Sequence, residues 1–156
     1  MTHRIREVKA LENFVVSVIF QEGIEKEYDL KELFPEYPQF LQLKDNKDFF
    51  EQVQVDVGGY GISWDDKLDL SAEELWDNGK LTDKVYEPDI ADLVGVNLIK
   101  ARATVGMTQK ELSEKVNIYQ ADISKIERGL ANPSVQTLKR LADGMGMKVK
   151  IEFVQK

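Results

Sequence analysis

The sequence predicts a chain in two parts. An α+β amino-terminal domain, a small antiparallel sheet with short helices, occupies residues 1–80; a linker follows at 81–88; an all-α carboxy-terminal domain ending in a β-strand occupies 89–156. Three observations carry this reading. Short stretches rich in Val, Ile, Phe and Tyr, separated by turn formers, crowd the first half. Apolar residues recur at helical spacing through most of the second half. Charge divides at nearly the same place, with 10 Lys and Arg against 20 Asp and Glu in residues 1–87, and 11 against 8 in residues 88–156.

In the first half, Ile5 to Val8, Phe14 to Phe20 and Ile24 to Tyr28 have strand composition, and Gln21-Glu22-Gly23 between the last two signals a hairpin. DLKELF from Asp29 and KDFFEQV from Lys47 read as short helical turns, with Pro35 and Pro38 breaking the chain between them. QVDVGGYGISWDD, from Gln54, reads as a strand or strand pair bent at Gly58-Gly59. Ser71 with Glu74 three residues on caps a short helix ending near Gly79. Residues Gly79 to Pro88 have no clear period and contain turn formers, which places the boundary there.

In the second half, Ile90 to Ala103 forms a first helix. The stretch TQKELSEKVNIYQADISKIERG, from Thr108 to Gly129, then carries apolar residues at Leu112, Val116, Ile118, Ile123 and Ile126, the recurrence of one helix, a break, and the recurrence of another. Thr108 and Glu111 form a capping box at its start. Asn117 is left to turn the corner, and Asn tolerates the left-handed conformation better than most residues. With small Ser113 on the inner face, these features describe a helix-turn-helix. Asn132-Pro133-Ser134 opens a further helix with Val135, Leu138 and Leu141 on one face. MKVKIEFV, from Met147, alternates apolar Met147, Val149, Ile151 and Phe153 with charged Lys148, Lys150 and Glu152, the pattern of a strand with one apolar face. Its partner is either a second subunit around a two-fold axis or the first domain's sheet.

Composition narrows the function. At 156 residues, 31% charged and 42% apolar, the chain is an ordinary folded protein. No apolar run approaches the roughly 20 residues that span a bilayer, and MTHRIREVKALE lacks the apolar core of a signal peptide. Zero cysteines exclude disulfides and thiolate metal sites and fit a cytoplasmic location. The single histidine, His3, has no metal or catalytic partners in view. Gly58-Gly59-Tyr60-Gly61 lacks the Lys-Ser/Thr pair of a phosphate loop and reads as a hairpin bend. Asp65, Asp66 and Asp69 lack the Gly and distal Glu of a calcium loop and read as a solvated turn. Trp64 and Trp76 read as core. No catalytic set, metal constellation or cofactor fingerprint emerges, so neither an enzyme nor a cofactor is expected.

Arg102, Thr108-Gln109, Glu111-Leu112, Ile123-Ser124, Ile126-Glu127-Arg128-Gly129 and Asn132-Pro133-Ser134 together resemble the Cro/CI repressor-type helix-turn-helix family, also called the XRE family, over residues 89–146. Tyr28 to Leu30, Phe49, the Gly-rich bend and ISWD at Ile62 to Asp65 resemble, more weakly, a small bacterial α+β domain of unknown function, number 2442, over residues 1–80. The first resemblance implies that double-stranded DNA is the partner, with Gln109 on a phosphate, Gln120 on a base edge, and Arg102 ion-paired to Glu127 as structural support. Thr108, Gln109, Tyr119, Gln120, Ala121, Asp122, Ser124, Lys125 and Arg128 form the expected DNA-facing set. Two residues depart from the family pattern. Asn117 stands where Gly is common, and Tyr119 stands where Ser or Thr is common and is a poor cap, so a sugar-phosphate contact is its alternative use. Asp122 either accepts a hydrogen bond from cytosine N4 or faces away from the groove.

Two function classes follow. One is a sequence-specific transcriptional regulator, a dimeric repressor on a two-fold DNA site, with an acidic accessory domain. The other is an antitoxin whose same module autoregulates an operon while the acidic half neutralises a basic toxin.

Overall fold

The computed structural model describes residues 3–156. By internal contacts it separates into two compact units, residues 3–88 and Asp89–Lys156.

The first unit opens with strands β1 (Ile5–Ala10), β2 (Val15–Phe20) and β3 (Ile24–Asp29). Gly23, at φ 86°, turns the β2–β3 hairpin, a backbone state open chiefly to glycine. Asp29 caps a 3-10 turn at Leu30–Leu33, and a second turn at Pro38–Phe40 leads into helices α1 (Leu41–Asp45) and α2 (Lys47–Glu51). Strands β4 (Gln54–Val55), β5 (Gly61–Ser63) and β6 (Asp69–Ser71) form a second small sheet, and β4 and β5 flank the Gly58-Gly59 bend. Ser71 then caps α3 (Ala72–Asn78) by accepting from the Glu74 N–H. The core runs through Val16, Val18, Phe20, Leu30, Leu43, Ile62, Trp64 and Leu75.

Residues 80–85, expected as the end of the first domain and the start of a linker, instead form strand β7 (Lys80–Val85), which completes a four-stranded antiparallel sheet of order β1-β2-β3-β7. The stretch shows no apolar alternation because it is an exposed edge strand. Polar contacts attach it. Buried Glu25 on β3 accepts from Ser17 at 2.6 Å and from Thr82 of β7 at 2.7 Å, and Lys84 lies 3.7 Å away. His3 is also structural: it stacks on Trp76 and lies 2.7 Å from the Glu22 carboxylate. Asp65 is committed to its own turn, accepting from the N–H groups of Lys67 and Leu68.

The second unit is helical, with α4 (Ile90–Val105), α5 (Gln109–Val116), α6 (Gln120–Glu127) and α7 (Val135–Gly144) around Leu98, Leu112, Ile123, Ile126, Leu141 and Met145. The α7 helix ends in a left-handed Gly146, with Gly146 N–H on Asp143 and Met147 N–H on Ala142. Beyond it, the expected terminal strand does not form within the single chain. Residues 147–156 have no ladder partner among the described residues, and a strand exists only where another strand pairs with it.

Two outcomes follow. The Ser17 hydroxyl holds the Glu25 carboxyl below the usual carboxylate range against the opposing effect of burial, with Thr82 and Lys84 acting in the same sense as Ser17. A carboxylate lowered in the folded state contributes stability that is present above its unfolded pKa and lost as pH falls through the folded value. Glu25→Gln should therefore reduce thermal stability at neutral pH and flatten its decline below the carboxylate range. Tryptophan fluorescence reads this unit alone, because both tryptophans, Trp64 and Trp76, lie in it. At the corner of the second unit, Asn117 sits at φ 54°. Asn117→Ala should cost about 1 kcal/mol in urea unfolding, whereas Asn117→Gly should cost nothing or stabilise.

Candidate nucleic-acid interface

The α5–α6 pair is built by local signals. Thr108 accepts from the Glu111 N–H at 3.1 Å while Glu111 returns a bond to the Thr108 N–H at 2.8 Å, so both halves of the capping box are made. The Thr108 backbone N–H first, and its side chain after it, hold the Glu111 carboxyl below its ordinary value. Asn117 then takes the left-handed state, and Ser113 donates to the Ile118 carbonyl at 2.6 Å across the inside of the corner. Tyr119 occupies the cap position of α6 without a capping side-chain bond.

The orientation of α6 follows from what it buries. Ile123, Ile126 and Glu127 face inward. At about 100° per residue, the opposite side centres on Ala121, Lys125 and Arg128, with Gln120 and Ser124 on one flank and Asp122 on the other. Tyr119, Gln120, Ala121, Asp122 and Lys125 are exposed, whereas Ser124, Arg128 and Gln109 are half-buried. Asp122 shares a shallow cleft of about 330 Å³ with Tyr119, Thr137 and Arg140, beside the outward face rather than at its centre.

Glu127 holds this arrangement. It is fully buried, at 0% exposure. Arg102 meets it with two nitrogens, Nε on Oε1 and Nη2 on Oε2 at 3.0 Å, and gives Nη1 to the Met107 carbonyl. Gln109, expected on a phosphate, donates its side-chain amide to Glu127 at 2.7 Å. One carboxylate thus ties α4, the start of α5 and the end of α6 together. Arg140 was missed from the sequence. From α7 it donates to the carbonyls of Val116 at 2.7 Å and Asn117 at 3.3 Å, satisfying the exposed end of α5. No local signal marks it, since its acceptors lie more than twenty residues earlier.

The first unit carries a different surface. A cleft of about 630 Å³ is lined by Glu32, Glu36, Asp69 and Glu74 together with Tyr28 and Tyr37. Tyr28 donates to Glu74 at 2.7 Å, and burial first, then this bond, pushes its hydroxyl well above the ordinary tyrosine range.

The second unit is similar in sequence to known proteins. Residues 98–150 match the family described as helix-turn-helix. An uncharacterized HTH-type transcriptional regulator of Sinorhizobium fredii, y4dJ, is 39% identical over 59 residues, covering 38% of this chain and 77% of that protein. This chain belongs to the helix-turn-helix transcriptional regulators. A second uncharacterized HTH-type regulator, from Haemophilus influenzae, is 29% identical over 69 residues, 44% of this chain and 70% of that protein. Among solved structures, the clp gene regulator ClgR of C. glutamicum is 30% identical, with a TM-score of 0.40 over 42% of this chain and 85% of that one. Residues 5–80 match a family described as a protein of unknown function, DUF2442. Among the described residues no helix is long and apolar enough to cross a membrane.

Removing Arg102 leaves a carboxylate buried without its cation, so Arg102→Ala should cost about 3–5 kcal/mol, whereas replacing both partners by apolar residues should recover most of it. Urea titration followed by far-ultraviolet circular dichroism reports the loss, and an R102M/E127L double variant tests the recovery.

Proposed function

We propose that this regulator reads duplex DNA sequence-specifically by laying α6 in the major groove, and that it acts as a homodimeric repressor on a two-fold site. One observation carries the reading: the clamped α6 buries Ile123, Ile126 and Glu127 and turns Ala121, Lys125 and half-buried Arg128 away from the core, with Gln120 exposed on one flank. A helix so presented fits the groove where base edges differ in donor and acceptor pattern. In this reading Gln120 pairs with adenine N6 and N7 while Lys125, Arg128 and Tyr119 meet the groove edge and backbone. Gln109 meets phosphate through its backbone N–H at the start of α5, its amide being held by Glu127. Asp122, on the other flank in the cleft that Arg140 also lines, faces away from the bases. The excess of positive charge in residues 88–156 favours the same partner.

Selection from a random duplex pool tests this. The full chain should enrich a two-fold consensus with half-sites about one helical turn, roughly 34 Å, apart. Gln120→Ala should relax one base pair per half-site, at about 1–3 kcal/mol on the selected site and little on random duplex. A folded protein that enriches no sequence and shows no salt-dependent binding refutes the assignment.

A second reading uses the same DNA-binding surface in an antitoxin. The acidic cleft of the first unit favours it, because carboxylates beside tyrosines suit the side chains of a basic protein. Co-expression with a small basic protein encoded beside this gene should then yield a complex that Glu32→Lys with Glu36→Lys abolishes.

A further inference from the structure

We infer that residues 148–154 are the dimer interface, pairing antiparallel with the same segment of a second copy in a register centred on Ile151. The inference rests on the homodimeric reading above and supplies the surface that reading lacks.

The segment is incomplete alone. Met147 packs against the helical core, and its N–H is fixed by the Ala142 carbonyl, so the chain leaves α7 from a fixed point. After it, apolar side chains stand in water: Ile151 is 60% exposed and Phe153 99%. Val149 and Val154 are exposed as well. Lys150 and Glu152 form an ion pair at 3.2 Å, which places these alternate residues on one side, and strand alternation then sets Val149, Ile151 and Phe153 on the other. A strand's worth of unpaired backbone beside an apolar row is a template for another strand.

Charge selects the occupant and the register. In an antiparallel ladder hydrogen-bonded and non-bonded pairs alternate, so a two-fold axis between identical strands has to pass through a pair of identical residues. Centring on Lys148, Lys150 or Glu152 sets a charge against its own copy. Centring on Val149 sets Lys148 against Lys150, and centring on Phe153 sets Lys150 against Lys156. Like charges directly opposite are destabilising. Of positions 148 to 154 only Ile151 and Val154 avoid this, and centring on Val154 sets Phe153 against Gln155 and so breaks the apolar face. With Ile151 on the axis, Lys150 faces Glu152 of the second copy, and the reverse, so that with the existing pair in each chain the four charges alternate around the axis. On the other face Ile151 meets itself and Val149 meets Phe153, a continuous apolar patch from both copies.

Sedimentation of the full chain tests both interface and register. Wild type should sediment as a dimer. Lys150→Glu or Glu152→Lys alone should weaken dimerisation about tenfold, since each reverses two cross-strand pairs, and the two together should restore it. The chain has no cysteine, so a single introduced one reports distance. Ile151→Cys should cross-link two copies on mild oxidation, because directly opposed Cα atoms lie about 4.5–5.5 Å apart, within disulfide reach. Lys150→Cys should not, because its copies would be roughly 8 Å apart. A monomeric wild type, a dimer indifferent to both charge reversals, or cross-linking at 150 but not at 151 overturns the inference. Duplex binding measured on the same samples separates the two readings. A dimer indifferent to the charge reversals removes only the interface, a monomer that still binds duplex removes the dimeric reading with it and leaves the DNA reading, and a dimer with the expected cross-link that binds no duplex removes only the DNA reading.

Discussion

The helix-turn-helix depends on one buried carboxylate. Glu127 sits near the end of α6 with no exposed surface, and a lone charge in that position would destabilise the unit by more than most single contacts stabilise it. Two elements supply its compensation. Arg102 supplies a two-nitrogen fork from α4, and Gln109 supplies a neutral donor from the first turn of α5. Because a guanidinium fork has fixed geometry, satisfying the carboxylate also fixes the rotation of α6 about its own axis. That rotation decides which side chains reach outward. The interaction therefore acts through geometry more than through net stability, in keeping with the small or negative net worth of many buried ion pairs.

The corner between α5 and α6 is where that geometry is transmitted, and it is satisfied from three directions. Asn117 adopts the left-handed state, Ser113 donates across the inside, and Arg140 caps the carbonyls from outside. Arg140 serves a second end as well, since its positive charge lies at the carboxy end of α5, where the helix dipole is negative. Asp122 lines the same shallow cleft as Arg140, on the flank of α6 opposite Gln120.

Which features were legible in the sequence follows from how far away their causes lie. The capping box at Thr108 and Glu111, the Ser71 cap, the Gly23 hairpin and the Asn117 corner were readable because donor and acceptor are within a few residues of each other. The Arg102–Glu127 pair spans 25 residues and was readable only because its surroundings resemble a known family. Arg140 had no such help, since neither its position on α7 nor its neighbours indicate carbonyl acceptors across the unit. The inward turn of Gln109 was hidden for a similar reason: its partner is named by the fold rather than by its neighbours in the chain.

The two edge segments show the same limit from opposite sides. Lys80–Val85 has the wrong pattern for a strand and is one, because Glu25 gathers Thr82 and Lys84 onto the sheet and the strand's other edge faces solvent. Residues 147–154 have the right pattern and no ladder partner among the described residues, because alternation specifies which side of a strand is apolar but not what it lies against. Periodicity is a property of one chain segment, whereas pairing belongs to two. For the first segment the second partner is within the unit and binds through polar side chains that periodicity ignores. For the other, no ladder partner lies among the described residues, so its alternation marks an apolar face without naming what covers it.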